Sequence, residues 1–384
     1  MAVVHKTKCE VLSCQECDSD EHKALVLSLS YDGDLVSSEV TSKGTFREEW
    51  REILLRSGGK VTAVALSHDG NLLAVGLQPD ETTFETRVWA MDKESCRPVD
   101  TVRPKQVARA QLAIRCLHWH PSKQLLAIGS DSGETHFWHA EERSSTSDSI
   151  KGKLEPRGWK ARECAVRGIA MAPEGVLAAV ADDNGMLAIY RDSEEVHSSQ
   201  LWRKGSGAFR MGWDPTGVQL ALPRQQSVIL LSALDFSSRA VPMEEVHNEP
   251  IVCVAWSAQS LLAAASRDAI SMWATSIASQ DYQLSKRFSV VSTPCSLLWS
   301  NEVLAIGGLD GSVTLLSRHP EKQDETDTGL GLPNQPHAVE EAEEGNAQPP
   351  AQGLAQEPTP GVQEPAETST AAEEQREEQE EQEE

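Results

Sequence analysis

No apolar run in the 384-residue chain approaches the length of a membrane span, and its first residues, MAVVHKTKCEV, hold no stretch long enough for a signal peptide. These absences predict an intracellular protein with no membrane partner. Without a secretory signal, the eight cysteines read as reduced thiols rather than a disulfide framework. Cys116 and Cys253 sit in apolar, strand-like runs, where a free thiol packs as a small hydrophobe. Basic charge is scarce as well: 35 Lys and Arg stand against 59 Asp and Glu, for a net charge of −24. From Glu321 onward nineteen acidic residues face two basic ones, Lys322 and Arg376, so most of that excess lies in the last sixth of the chain. A phosphate backbone is drawn to basic stripes, and direct nucleic-acid binding is not expected. The cluster Lys151, Lys153, Arg157 and Lys160 reads as a solvated loop.

The signatures of common enzymes are missing too. There is no Gly-x-Ser-x-Gly elbow. Neither SGGK at 57–60 nor KGK at 151–153 has the glycine spacing or hydroxyl partner of a phosphate-binding loop. Asp182 and Asp183 are paired acids, but in the turn ADDNG their natural work is backbone hydrogen bonding. Cys9, Cys14 and Cys17, with His5 or His22, make one C-x4-C-x2-C knuckle where zinc sites usually show two, so they read as reduced surface thiols. His118, His120, His136 and His139 alternate with apolar residues and read as solvent-facing or satisfied side chains. The expectation is no enzyme, no cofactor and no metal.

What the chain does have is a repeat. IRCLHWHPSKQLLAIGSDSGETHFWHA, VRGIAMAPEGVLAAVADDNGMLAIYRD, FRMGWDPTGVQLALPRQQSVILLSA, IVCVAWSAQSLLAAASRDAISMWAT and CSLLWSNEVLAIGGLDGSVTLLSR share one layout. An apolar strand ends in a bulky residue; a turn, a Leu/Ala-rich strand, a second turn and a third strand follow. VTAVALSHDGNLLAVG with ETRVWAM is a sixth copy, and ALVLSLSYDGDLV a degraded seventh. The bulky residues closing the first strand are Leu29, Leu66, Trp119, Met171, Trp213, Trp256 and Trp299, spaced 37, 53, 52, 42, 43 and 43 residues apart. A second column falls in the third strand: Trp89, Trp138, Tyr190, Leu231, Trp273 and Leu316. A step of about 40–45 residues is that of a four-stranded propeller blade. The long steps coincide with polar insertions, and Gly70, Gly133, Gly185, Gly217 and Gly311 fall at the turns. A blade cannot bury both faces of its sheet alone, so blades stack in a ring. The predicted fold is all-β: a seven-bladed propeller over about 24–318, with 1–23 as an N-terminal extension; six blades plus a longer extension stay open. The structural anchors are Trp89, Trp119, Trp138, Met171, Tyr190, Trp213, Trp256, Trp273 and Trp299. Trp50 ends the first blade or lies on a short amphipathic helix, and Trp202 reads as a strand anchor.

These residues resemble the WD40 family over roughly 24–318. Its Trp-Asp pair is eroded, since Trp89 precedes Ala90, Trp138 precedes His139 and Trp273 precedes Ala274. Its Gly-His pair is missing, although His247 stands near the usual place. The resemblance implies a protein-binding platform whose packing replaces part of the family's polar network. AFRMGWDPTGVQLALPRQQSVIL and IVCVAWSAQSLLAAASRDAISMW look more narrowly like the later blades of the And-1, or minichromosome-loss, replisome-adaptor propeller. There an LAxP segment, here Leu220, Ala221, Leu222 and Pro223, occupies a blade's second strand. That likeness implies a nuclear scaffold linking replication factors. A substrate-recognition adaptor of a ubiquitin ligase and a propeller hydrolase are the alternatives.

Residues 319–384 have few aliphatics, no aromatics and much Pro, Gln and Glu, the composition of a disordered acidic tail. Such a tail keeps the protein soluble or attracts basic partners such as histones.

Overall fold

The computed structural model describes residues 1–17, 23–41, 45–55, 59–92, 95–99, 105–110, 113–141, 149–155, 158–159, 162–202, 210–243, 246–275, 282–300 and 303–317. The expectations for 319–384, Arg157, Lys160 and His22 therefore lie outside the described residues. The described secondary structure is all strand, in seven antiparallel four-stranded sheets. Six are consecutive in sequence: residues 9–53, 60–110, 114–155, 166–200, 212–242 and 251–289 form blades 1 to 6. Blade 7 takes three strands from 294–317 and its fourth from the other end of the chain, where Ala2 pairs with Val313 and Val3 with Ser312. The chain is a seven-bladed β-propeller.

Seven clusters of buried side chains build the core, each straddling two neighbouring blades. The cluster joining Cys9, Val11, Val26 and Val40 to Ala305 and Val313 closes the ring between blades 1 and 7. This arrangement explains the Leu/Ala runs. A second strand is covered on both faces by the adjacent blades, so Leu72–Gln78 and Leu177–Asp182 are buried almost throughout. Outer strands such as Tyr282–Ser289 carry polar residues and are largely exposed. Gly70, Gly133, Gly185, Gly217 and Gly311 all take positive φ, between 71 and 86°, as their turns require.

Both anchor columns run in register from blade 2 to blade 7. Trp119 pairs with Leu126, which pairs with Trp138; Trp256, Leu262 and Trp273 form the same row, as do Trp299, Leu304 and Leu316. Trp89, Met171, Tyr190 and Trp213 occupy the matching positions of their blades. Three indoles of the first column also tie blades together. Trp119 Nε1 donates to Ala65 O at 3.1 Å, Trp213 Nε1 to Ala170 O at 3.1 Å and Trp256 Nε1 to Gly212 O at 3.0 Å. Each acceptor immediately precedes the anchor of the preceding blade.

The start of the chain corrects the sequence reading. Residues 1–23 are not an extension: Ala2–Val3 completes blade 7 and Cys9–Cys17 is the inner strand of blade 1. Leu29 therefore lies on a second strand, not on the inner one. The polar residues of CEVLSCQEC hid that strand, since Glu10 is buried by ion pairing rather than by apolar packing. Cys9 and Cys14 are buried, not surface thiols. Five residues apart on an extended strand, roughly 15 Å, they cannot share one zinc ion. Burial pushes the Cys9 thiol up to about 12. Trp50 lies on the outer strand Phe46–Ile53, whereas Trp202 is buried just beyond Glu194–Gln200 rather than within it.

The eroded polar network survives in part. His247 is buried, with Nδ1 2.6 Å from Ser266 Oγ and Nε2 2.6 Å from Ser271 Oγ; Trp273 Nε1 donates to Ser271 Oγ at 2.7 Å. His5 holds the equivalent place in blade 1, 2.8 Å from Ser28 Oγ, and Arg162 in blade 4, paired with Asp182 at 3.2 Å. All three precede the first residue of their inner strand by four positions. Packing carries the rows where no such residue stands.

Candidate functional site

The inner strands surround a channel whose cavity, about 640 Å³, opens where these strands begin and where the turns between second and third strands lie. That volume is within the range of ordinary ligand sites, about 300–1,000 Å³. Its geometry comes from a repeated irregularity. In blades 2, 3, 4, 6 and 7 the ladder slips by one residue at the start of the inner strand, at Thr62, Arg115, Arg167, Val252 and Cys295. Such a bulge turns a side chain that regular pairing would commit to the sheet, and all five residues line the cavity. Arg115 and Arg167 meet the first turn residue after their own second strand. Arg115 forms two bonds of 2.6 Å to Asp131, and Arg167 Nε lies 3.0 Å from Asp183 Oδ1. The two pairs stand at the same repeat position in adjacent blades.

Blade 5 departs from the pattern because of Pro223. A proline has no amide to donate, and the inner strand opposite it has shrunk to Gly212–Trp213. Arg210 leaves the ladder, forms a parallel bridge with Cys253 of blade 6, and reaches across the channel to Glu10 of blade 1. Glu10 also accepts the Tyr31 hydroxyl at 2.6 Å, and Lys8 Nζ sits 4.1 Å from the centre of the Tyr31 ring. Burial and the Glu10 carboxylate push the Tyr31 phenol up, so it stays a neutral donor. Arg267, at the turn of blade 6, has no ion pair among the described residues.

The cavity lining thus holds Lys8, Arg115, Arg167, Arg210 and Arg267 with the carboxylate of Glu10, and Asp131 and Asp183 stand behind two of the arginines, in a chain of net charge −24. The sequence reading passed over these residues, although a signal was present. Arg115 and Arg167 each stand four residues before a column anchor, Trp119 and Met171, and Asp131 and Asp183 repeat at the same 52-residue step.

The nine anchors lie in the blade rows, outside this set of charges, and act structurally. Trp119 meets Trp138 edge-on at 6.1 Å, and Tyr190 stacks on Trp159 at 5.4 Å. Trp119 and Met171 also line a second cavity of about 380 Å³ at the opposite end of the channel. Trp256 and Trp299 are only partly buried. The histidine group has divided fates. His120 Nδ1 accepts from the Ser122 and Lys123 amides at 3.1 and 3.0 Å, and its Nε2 reaches Gly175 O. His136 and His139 stand beside Glu134 and Glu155. His118 differs from expectation: its Nδ1 is buried without a partner among the described residues, and burial lowers its pKa to about 4. Asp182 does the turn work expected of it, accepting from the Asn184 and Met186 amides at 3.0 Å each. Among the described residues no group of three His, Cys, Asp or Glu is placed to hold a metal. No helix there is long and apolar enough to cross a membrane.

Residues 104–139 match the family described as WD domain, G-beta repeat. The fold is that of a WD40 propeller. That stretch spans the outer strand of blade 2 and the first three strands of blade 3, including Arg115, Trp119, Asp131 and Trp138. Among solved structures, a chain in "Crystal Structure of Mitotic Checkpoint Complex" is similar over 83% of this chain and 95% of that one, at 16% identity and a TM-score of 0.55; the likeness concerns fold. No curated protein matches the chain.

Proposed function

We propose that the protein is a non-catalytic adaptor that holds partner proteins at the charged end of its channel. The observation that carries this is the lining itself: five cations at one end of a closed ring, two of them placed by strand bulges and one by a turn. A hydrolase would set His–acid pairs at such a rim. Here Asp131, Asp183 and Glu10 each face a guanidinium or phenol instead. The finer reading is a nuclear adaptor of DNA replication or chromatin. Supporting it are the likeness of the 208–273 region to the replisome-adaptor propeller, with LALP on the second strand of blade 5, and an acidic segment after 320 suited to histones. Affinity purification of the full chain, and of a form lacking 321–384, followed by mass spectrometry tests it. Recovery of polymerase or helicase subunits supports the replication reading; cullin-type ligase subunits replace it with substrate recognition for ubiquitin ligation.

A further inference from the structure

We infer that the charged mouth of the channel binds an acidic peptide segment of a partner protein, one that interleaves carboxylates with apolar side chains. This deepens the adaptor reading and rests on it. Three observations support that class of ligand. First, the balance of charge is inverted: Lys8, Arg115, Arg167, Arg210 and Arg267 outnumber the carboxylates paired with them, Glu10, Asp131 and Asp183, although the chain as a whole, and its first 320 residues taken alone, are acidic. Long-range repulsion from the body disfavours an extended polyanion such as nucleic acid, whereas a short acidic segment reaches the mouth without lying along the body.

Second, the cations differ in how far they are already neutralised. Arg210 is committed to Glu10, and Arg115 and Arg167 lean on Asp131 and Asp183. Arg267 has no ion pair among the described residues, and Lys8 rests on an aromatic face rather than a carboxylate. Those two are the vacant positions, while Arg115 and Arg167, with side chains 43% and 28% exposed, keep donors available to a second acceptor. Third, the spaces between the charges are apolar. Val252 replaces arginine at the bulge of blade 6, and Leu309, 48% exposed, holds the turn position that Asp131 and Asp183 hold in blades 3 and 4. Val291, two residues before the Thr293 carbonyl that accepts the Leu309 amide, is exposed too. A ligand that meets Arg267 therefore meets an aliphatic surface one blade further on, and Asp or Glu alternating with Leu, Ile or Val fits both.

Fluorescence anisotropy with a fluorescein-labelled peptide of glutamate and leucine, titrated with the full chain at low salt, tests the assignment. Arg267→Glu removes no ion pair and should leave the fold intact, checked by an unchanged melting temperature. It should weaken peptide binding by about tenfold, the effect of one like-charge contact at a rim. Arg191→Glu, at an exposed position outside the mouth, should change binding by less than about twofold. Equal affinity of the Arg267→Glu and parent proteins for the acidic peptide would overturn the inference. So would a single-stranded oligonucleotide that displaces the peptide and itself loses affinity in Arg267→Glu, since the mouth would then be a nucleic-acid site. Partners recovered from cells equally well by parent and Arg267→Glu would also overturn it while leaving the adaptor reading standing; if neither recovers a partner, the adaptor reading itself fails.

Discussion

Replacing Trp213 by Phe removes an indole N–H while keeping most of the aromatic surface, and that N–H donates to Ala170 O of the preceding blade at 3.1 Å. A hydrogen bond of this kind contributes about 0.5–1.5 kcal/mol net, and the carbonyl left behind in a buried site adds to the cost. With the smaller ring, the expected loss is about 1–2 kcal/mol. For a domain of this size the unfolding entropy is roughly 0.65 kcal/mol/K, so Tm should fall by about 2–3 °C. Trp213→Ala, which also opens a cavity, should cost about 3–5 kcal/mol, or roughly 5–8 °C. The control is Trp299→Phe. Trp299 holds the same column position in blade 7, but its Nε1 is buried with no partner among the described residues. Removing an unpartnered donor relieves a desolvation cost, so this variant should match the parent or exceed it by about 1 kcal/mol. Differential scanning calorimetry of the two Phe variants side by side separates the hydrogen bond from ring size. Equal losses in both would show that the indole bonds between blades contribute nothing and that the columns act by volume alone.

His5 and His118 are held neutral by burial, their pKa lowered from 6.5 to about 4, with the Arg51 charge adding to the effect at His5. Each binds its proton more weakly folded than unfolded, so their contribution is full above about pH 6.5 and is lost as pH falls toward 4, on the order of 2–3 kcal/mol for each. His5→Gln should flatten the dependence of the urea midpoint on pH across that window, and an unchanged slope would contradict the burial. Deleting residues 1–8 strips blade 7 of its fourth strand and exposes the Ser312–Ser317 edge. The melting temperature should drop and aggregation on heating should increase; a melting curve identical to the parent's would mean that the N-terminal strand does not close the ring. Deleting 321–384 removes nineteen acidic and two basic residues; the melting transition should stay in place while histone binding, if carried by this segment, disappears at low salt and is already weak at high salt in the parent.

The ring was legible because it is written in volume and spacing. An inner strand that ends on a large residue, followed by a Leu/Ala strand buried on both faces, is a local pattern, and it recurs at a step set by the geometry of a four-stranded blade. From blade 2 onward the residues of both columns pair across their sheets in register. Blade 1 was misread for the same reason. Its inner strand, CEVLSCQEC, draws part of its burial from ion pairing and its final placement from a strand near residue 317, and neither leaves an apolar period in the nine residues themselves. The closing strand, Ala2–Val3, is too short to carry any period at all.

The mouth of the channel was illegible for a different reason, and that reason bears on function. Arg115 and Asp131 are turned toward each other by a bulge and a turn, features that depend on a register slip rather than on composition. Arg210 meets Glu10 from 200 positions away only because Pro223 cuts short the inner strand of blade 5 and because closure of the ring brings blade 1 opposite. An eroded repeat keeps what holds blades together, as His247 and the indole bonds show, and is free to vary where inner strands begin. Arg115 and Arg167 there meet a turn of their own blade, so a change at either costs the fold little and alters what the channel can hold. The sign of charge gathered at them, opposite to that of the chain, is therefore better explained by a ligand than by the requirements of the ring.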